Sequence, residues 1–179
     1  MQAALDKNYF ELFGLPESFS LDLTEVTRRY RELQQQLHPD RFASAPDQQR
    51  RLSVQMAALV NEAFQTLKDP VRRGRYLLGL KGIDTGEESD TAMNPAFLME
   101  QMELRESLES VRDSDNALAE LGVLETGVAD AFDARISRLQ ACLDESGKED
   151  LKMARETVRE LQFLQKIRAE IEQIEEELV

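Results

Sequence analysis

Residues 30–42 read YRELQQQLHPDRF, and residues 61–77 read NEAFQTLKDPVRRGRYL. Upstream of the first stretch, Leu23, Val26, Tyr30, Leu33 and Leu37 recur at spacings of three, four, three and four. That spacing predicts one apolar stripe along four helical turns. Asp22 followed by Glu25 resembles a capping box at its start. Pro39 stops the helix, because the residue before a proline is pushed out of the α region. A polar stretch from Asp40 to Asp47 follows. Leu52, Met56, Leu59, Val60, Ala63, Phe64 and Leu67 then predict a second amphipathic helix of similar length. Two such helices joined by a short loop form an antiparallel hairpin. Asp69 and Pro70 pair as N-cap and first residue of a short helix containing Val71, Tyr76, Leu77, Leu78 and Leu80. Another short helix, with Tyr9, Phe10, Leu12 and Phe13, precedes the hairpin and ends at Gly14 and Pro16.

The second half has longer periodic segments. Asn94 and Pro95 begin a helix to about Arg112. A second covers roughly 116–144, with Leu118, Leu121, Val128, Phe132, Ile136, Leu139 and Leu143 at near-heptad spacing. A third runs from about Lys148 to the end of the sequence. Three helices with short loops predict a bundle over 95–179. KGIDTGEESDTAMN, residues 81–94, has few large apolar residues and reads as a linker. The expected organisation is therefore all-α, with an N-terminal unit at 1–81, a linker at 82–94 and a bundle at 95–179.

Composition narrows the function classes. The 179 residues are 41% hydrophobic and 32% charged, with 8 Gly, 5 Pro and no Trp, which favours packed helices over disorder. No apolar run reaches the ~20 residues of a membrane span. MQAALDKNYF lacks the basic and apolar regions of a secretory signal, so a cytoplasmic location is expected. One Cys and one His cannot supply the roughly four ligands of a zinc or protein-only iron–sulfur site, so neither metal nor cofactor is expected. Nucleophilic catalysis would have to use His38 alone, which makes an enzyme a remote reading. No phosphate-binding glycine loop is present. Residues 1–81 carry 12 Lys and Arg against 10 Asp and Glu, whereas 82–179 carry 10 against 25. So acidic a second half disfavours nucleic acid and anionic membranes as partners.

Two surfaces stand out. His38, Pro39 and Asp40 sit where a long helix ends in a polar loop, with Pro39 restricting the backbone. Arg28 and Arg31 fall opposite the core stripe. With nearby Arg29 and Arg41 they form a basic strip, interrupted by Glu32, that ends at this loop. In the bundle, Phe97, Leu104, Leu108 and Val111 make the core stripe of the first helix. Leu98, Met102 and Met99 lie at about 100°, 140° and 200° from Phe97, with Glu106 at about 180° and Glu103 beside it. An apolar patch bordered by carboxylates suits an adaptable protein contact. The alternative is a wider buried face, or contact with the N-terminal unit or a neighbouring helix. Phe163 lies off the stripe through Leu161 and Leu164. Cys142, beside core positions, reads as a packing residue.

The sequence around His38 resembles a J-domain: Tyr-Arg seven to eight residues before the His-Pro-Asp, and Asn-x-Ala-x-x-x-Leu-x-Asp-Pro after it. J-domains stimulate ATP hydrolysis by DnaK-type chaperones through this loop, and their second helix presents positive charge to an acidic chaperone surface. YFELFGLP at 9–16, FLMEQMELRE at 97–106 and VRELQFLQKIR at 158–168, with no Gly/Phe-rich region after the J-domain, extend the likeness to the whole chain. Together they resemble the HscB family, J-type co-chaperones of iron–sulfur cluster biogenesis, in a bacterial form without a Cys-rich zinc module. The resemblance implies a non-enzymatic protein that engages the chaperone HscA and the cluster scaffold IscU. It assigns His38, Pro39, Asp40, Arg28, Arg31 and Arg41 to chaperone binding. Leu98, Met99, Met102, Glu103, Glu106 and Phe163 become the scaffold-binding set. Two other readings stay open: a J-type co-chaperone for an unrelated client, and an adaptor or coiled-coil assembly protein in which the tripeptide is incidental.

Overall fold

Side-chain caps define where most helices of the N-terminal unit begin. The Asn8 carboxamide oxygen accepts from the Glu11 N–H at 2.9 Å, and the Glu11 carboxylate accepts from the Asn8 N–H at 3.0 Å. This closed capping box starts α1, Tyr9–Phe13. Gly14 ends it in the left-handed region, at a φ of 63° that a side chain would strain. Asp22 starts α2, Leu23–Gln36, by accepting from the Thr24 N–H at 2.8 Å. The expected box does not close here, because the Glu25 carboxylate turns to Arg28 and Arg29. A 3-10 turn, Pro39–Phe42, leads toward α3, Asp47–Lys68. Asp69 accepts from the Arg72 N–H at 2.8 Å and starts α4, Pro70–Leu80. The bundle comprises α5, Pro95–Arg112, α6, Ala117–Glu145, and α7, Lys148–Leu178. The structure, a computed structural model, describes residues 6–42, 45–86, 94–145 and 148–178; among them every regular element is helical.

The chain divides into two compact units, Met1–Leu77 and Leu78–Val179. Most of the linker expected at 82–94, namely 87–93, lies outside the described residues.

In the first unit α2 and α3 pack as the expected hairpin, with α1 against both. Phe10, Phe13, Val26, Val60, Ala63 and Leu67 are buried. Tyr30 stacks on Phe64 at 4.0 Å between ring centroids, and its hydroxyl donates to Asn61 at 2.9 Å. Tyr9 stacks on Tyr76 at 4.3 Å, joining the ends of the unit. Arg73, which no apolar stripe marks, is buried; it donates to the Leu67 carbonyl at 2.6 Å and lies over the Phe19 ring. It thereby occupies a carbonyl that α3 leaves open at its end. Leu23, expected in the core stripe, is 47% exposed. At the first residue of α2 it lies about 50° from the centre of that stripe, beyond the reach of α3.

In the second unit α7 packs on both α5 and α6. Phe97, Leu108 and Val111 of α5 meet a core containing Val128, Phe132 and Leu139 of α6 and Leu161, Leu164, Ile167 and Ile171 of α7. Cys142 is buried among core positions as expected. Leu118, placed in the stripe of α6 from the sequence, is exposed in its first turn. Gly122 and Gly127 do not break α6, and a Cβ at either would point into open space.

Candidate functional site

The His-Pro-Asp tripeptide forms the junction of the hairpin. The His38 carbonyl accepts from the Arg41 N–H at 3.0 Å, which closes the turn. The Asp40 N–H donates to His38 Nδ1 at 3.3 Å, and the Asp40 carboxylate lies 3.5 Å from the same nitrogen. Nδ1 is thus engaged inside the turn, and Nε2 is the ring nitrogen left for a partner. The His38 and Asp40 side chains are 60% and 91% exposed. Beside them, Gln34, Leu37, His38, Ala57, Val60 and Asn61 line a shallow cavity of about 220 Å³. A fixed turn that shows a carboxylate and an imidazole edge is suited to recognition by a cationic partner group.

The basic strip on α2 is less uniform than its sequence suggests. Arg28 donates to both oxygens of Glu25, at 2.5 and 2.7 Å, and pairs on its other side with Glu32. Arg29 reaches the same Glu25 at 2.8 Å. The hydrogen bonds from Arg28 and then Arg29 draw the Glu25 carboxyl down to about 2. Glu25 and Glu32 in turn hold the Arg28 guanidinium more firmly protonated. Arg31 and Arg41 are exposed and, among the described residues, carry no ion pair. A groove of about 650 Å³ runs along this face, lined by Leu23, Thr24, Thr27, Arg28, Arg31, Glu32 and Gln35.

On α5, Met99 and Met102 are each 63% exposed, and Leu98, Glu103 and Glu106 are exposed beside them. The alternative of a wider buried face is therefore excluded for this strip. Phe163 is a correction: it is 9% exposed and packs edge-on to Phe97, ring centroids 5.6 Å apart. The stripe through Leu161 and Leu164 is too narrow a picture of α7. A helix covered by two neighbours buries an arc of about 220°, from Phe163 round to Val158, at 100° per residue. Phe163 backs α5 from beneath, with the Arg105 guanidinium 6.0 Å from its ring.

A polar cluster next to this strip escaped the sequence reading. Arg135 of α6 bonds to Glu160 of α7 at 2.7 Å and pairs with Glu100 of α5. Arg138 also pairs with Glu160 and donates to Thr157 at 2.9 Å. Arg135 lies 5.8 Å from the Phe97 ring. The cluster joins all three helices directly behind Leu98–Met102. Its available signal was Thr157 and Glu160, two polar residues inside the apolar arc of α7.

With both surfaces placed, comparison with known proteins gives a consistent answer. Residues 8–76 match the family model of the DnaJ domain, and residues 93–172 match that of the HSCB C-terminal oligomerisation domain. A co-chaperone protein HscB homolog from Paraburkholderia phymatum is 49% identical over 94% of each chain. The chain belongs to the HscB family of co-chaperones. An HscB homolog from Shewanella oneidensis is 45% identical over 96% of this chain and 99% of its own. The solved structure of chaperone HscB from Vibrio cholerae superposes with a TM-score of 0.86 at 43% identity, covering 97% of this chain and all of the other. Human co-chaperone protein HscB reaches the same TM-score at 28% identity, over 95% and 83% of the two chains. HscB-family membership makes this a J-domain co-chaperone with iron–sulfur assembly as the family's setting, and its relatives are named co-chaperones, a non-enzyme class. Among the described residues no helix is long and apolar enough to cross a membrane.

Proposed function

We propose that the protein acts in the cytoplasm by binding the cluster scaffold IscU on α5 and delivering it to HscA, whose ATP hydrolysis it stimulates through His38-Pro39-Asp40. The observation that carries this reading is the exposed, internally bonded turn at the head of a hairpin. Family membership supplies the ATPase that such a turn would address. The coupling is a population shift: a turn that binds the hydrolysing state of the chaperone better than the other raises its occupancy. Arg31 and Arg41 supply positive charge beside the turn for an acidic chaperone surface. The Leu98–Met99–Met102 strip, with Glu103 and Glu106 at its border, takes the scaffold, and Phe163 supports the strip from below. We place the functional division at a J-domain of 1–81, a linker of 82–94 and a scaffold-binding bundle of 95–179. The gap between the two matched family models, residues 77–92, supports a linker there. Single-turnover ATP hydrolysis by HscA, with and without IscU, tests the reading. The protein should accelerate hydrolysis alone, and more strongly with IscU present. Acceleration that ignores IscU would assign the α5 strip to a different client.

A further inference from the structure

Glu25 departs from the role its position predicts. Three residues after the Asp22 cap, its carboxylate would ordinarily reach back to the Asp22 N–H. It instead lies along the outer face of α2, where one oxygen is shared by Arg28 and Arg29 and the other takes a second bond from Arg28. Glu32 closes on Arg28 from the opposite side. Arg28, Arg29 and Arg31 face two carboxylates, so this stretch of helix presents a net charge of only +1. The groove along the same face is lined by Arg28 and Glu32 as a pair, with Arg31 as its free cation among the described residues.

We propose that Glu25 is a specificity-determining residue that limits the charge α2 offers to an acidic partner, by holding Arg28 and Arg29 within the helix. First contact then falls to Arg31 and Arg41, and Arg28 joins only where a partner carboxylate displaces Glu25. Such a brake favours partners with a dense acidic surface over weakly acidic ones, since only the former compensate for breaking the internal pairs. The inference rests on chaperone docking through α2, as proposed above. Pairs at this spacing also stabilise helices modestly, so the distinguishing readout must be association and not melting.

Association of the full chain with HscA is measured by surface plasmon resonance at several salt concentrations. Melting and HscA stimulation are followed on the same samples. Removing Glu25 takes the stretch from +1 to +2. Glu25→Gln should raise the association rate at low salt by about two- to fivefold, the span of exposed ion pairs. The gain should fade at high salt. Arg28→Ala should cost more in the Glu25→Gln background than in the wild type. If Glu25→Gln loses helicity, Glu32→Gln, which removes one of the two carboxylates on Arg28 and leaves Glu25 in place, should show a smaller gain of the same sign. A folded variant whose association is unchanged or slower, beside a wild type that binds and stimulates, overturns the brake while leaving the docking reading intact. A wild type that neither binds nor stimulates HscA overturns both.

Discussion

His38→Gln and Asp40→Asn are each expected to abolish stimulation of HscA while moving stability by less than ~0.5 kcal/mol, because both side chains face solvent. Single-turnover hydrolysis beside a thermal melt checks this; full stimulation by the His38 variant would remove the turn from the mechanism. Phe163 belongs to the opposite class. Its ring is buried against Phe97, so Phe163→Ala should cost about 3 kcal/mol, the lower end of aromatic truncations in cores. Denaturant unfolding checks the figure. Any loss of IscU affinity in that variant should be recovered in part by Phe163→Leu, which refills the space beneath α5. At this scale the local signals read truly. Asp22, Asp69 and Asn94 each cap a helix through their own side chains. Glu25 did not follow its signal, because two guanidiniums within one helical turn compete better for its carboxylate than one backbone N–H.

Among the elements, α5 presents the sharper test. With Met99 and Met102 projecting into solvent, the double variant Met99→Ala, Met102→Ala should melt within a few degrees of the wild type. It should lose upwards of ~1–2 kcal/mol of IscU affinity if either residue is a hot spot. Calorimetric titration with a melt of the same sample checks both. On α2, acid should leave the Glu25 pairs standing long after ordinary carboxylates have titrated. The folded-state value of about 2 lies below the ordinary 4.5, so the contribution of these pairs is fully present above pH 4.5 and is lost as pH falls toward 2. The carboxylate signal of Glu25 in an NMR titration should therefore remain that of the ionised form at pH 3.5. A midpoint near 4.5 would show the pairs to be absent in solution. Tyr9 gives the converse case. Burial, and then Glu62 beside it, raise its phenol from 10.0 to about 12, so the first unit should weaken as pH rises from 10 toward 12.

For the molecule as a whole, the two proposed activities should separate. The Met99→Ala, Met102→Ala variant should stimulate HscA normally when IscU is absent, and His38→Gln should bind IscU with wild-type affinity. A loss of both activities from either folded variant would show that the surfaces act as one. The charge points to the same proposed division, since the net positive half holds the His-Pro-Asp turn and the strongly acidic half holds the Met strip. The order and approximate limits of the described helices also followed from the sequence, because helix formation depends on contacts three and four residues apart, which spacing displays directly. The exposure of Leu98, Met99 and Met102 was readable for the same reason: these residues fall outside the apolar stripe of α5 through Phe97, Leu108 and Val111. What needed the tertiary structure was every property set by a neighbour distant in sequence. Phe163 became core because α7 is covered by two helices. Arg135, Glu160 and Glu100 met because three helices bring together positions up to 60 residues apart. Leu23 stayed outside because α3 does not cover the first residue of α2. Periodicity gives the direction in which a side chain leaves its own helix, whereas burial depends on what stands in that direction, and only the packed fold supplies it.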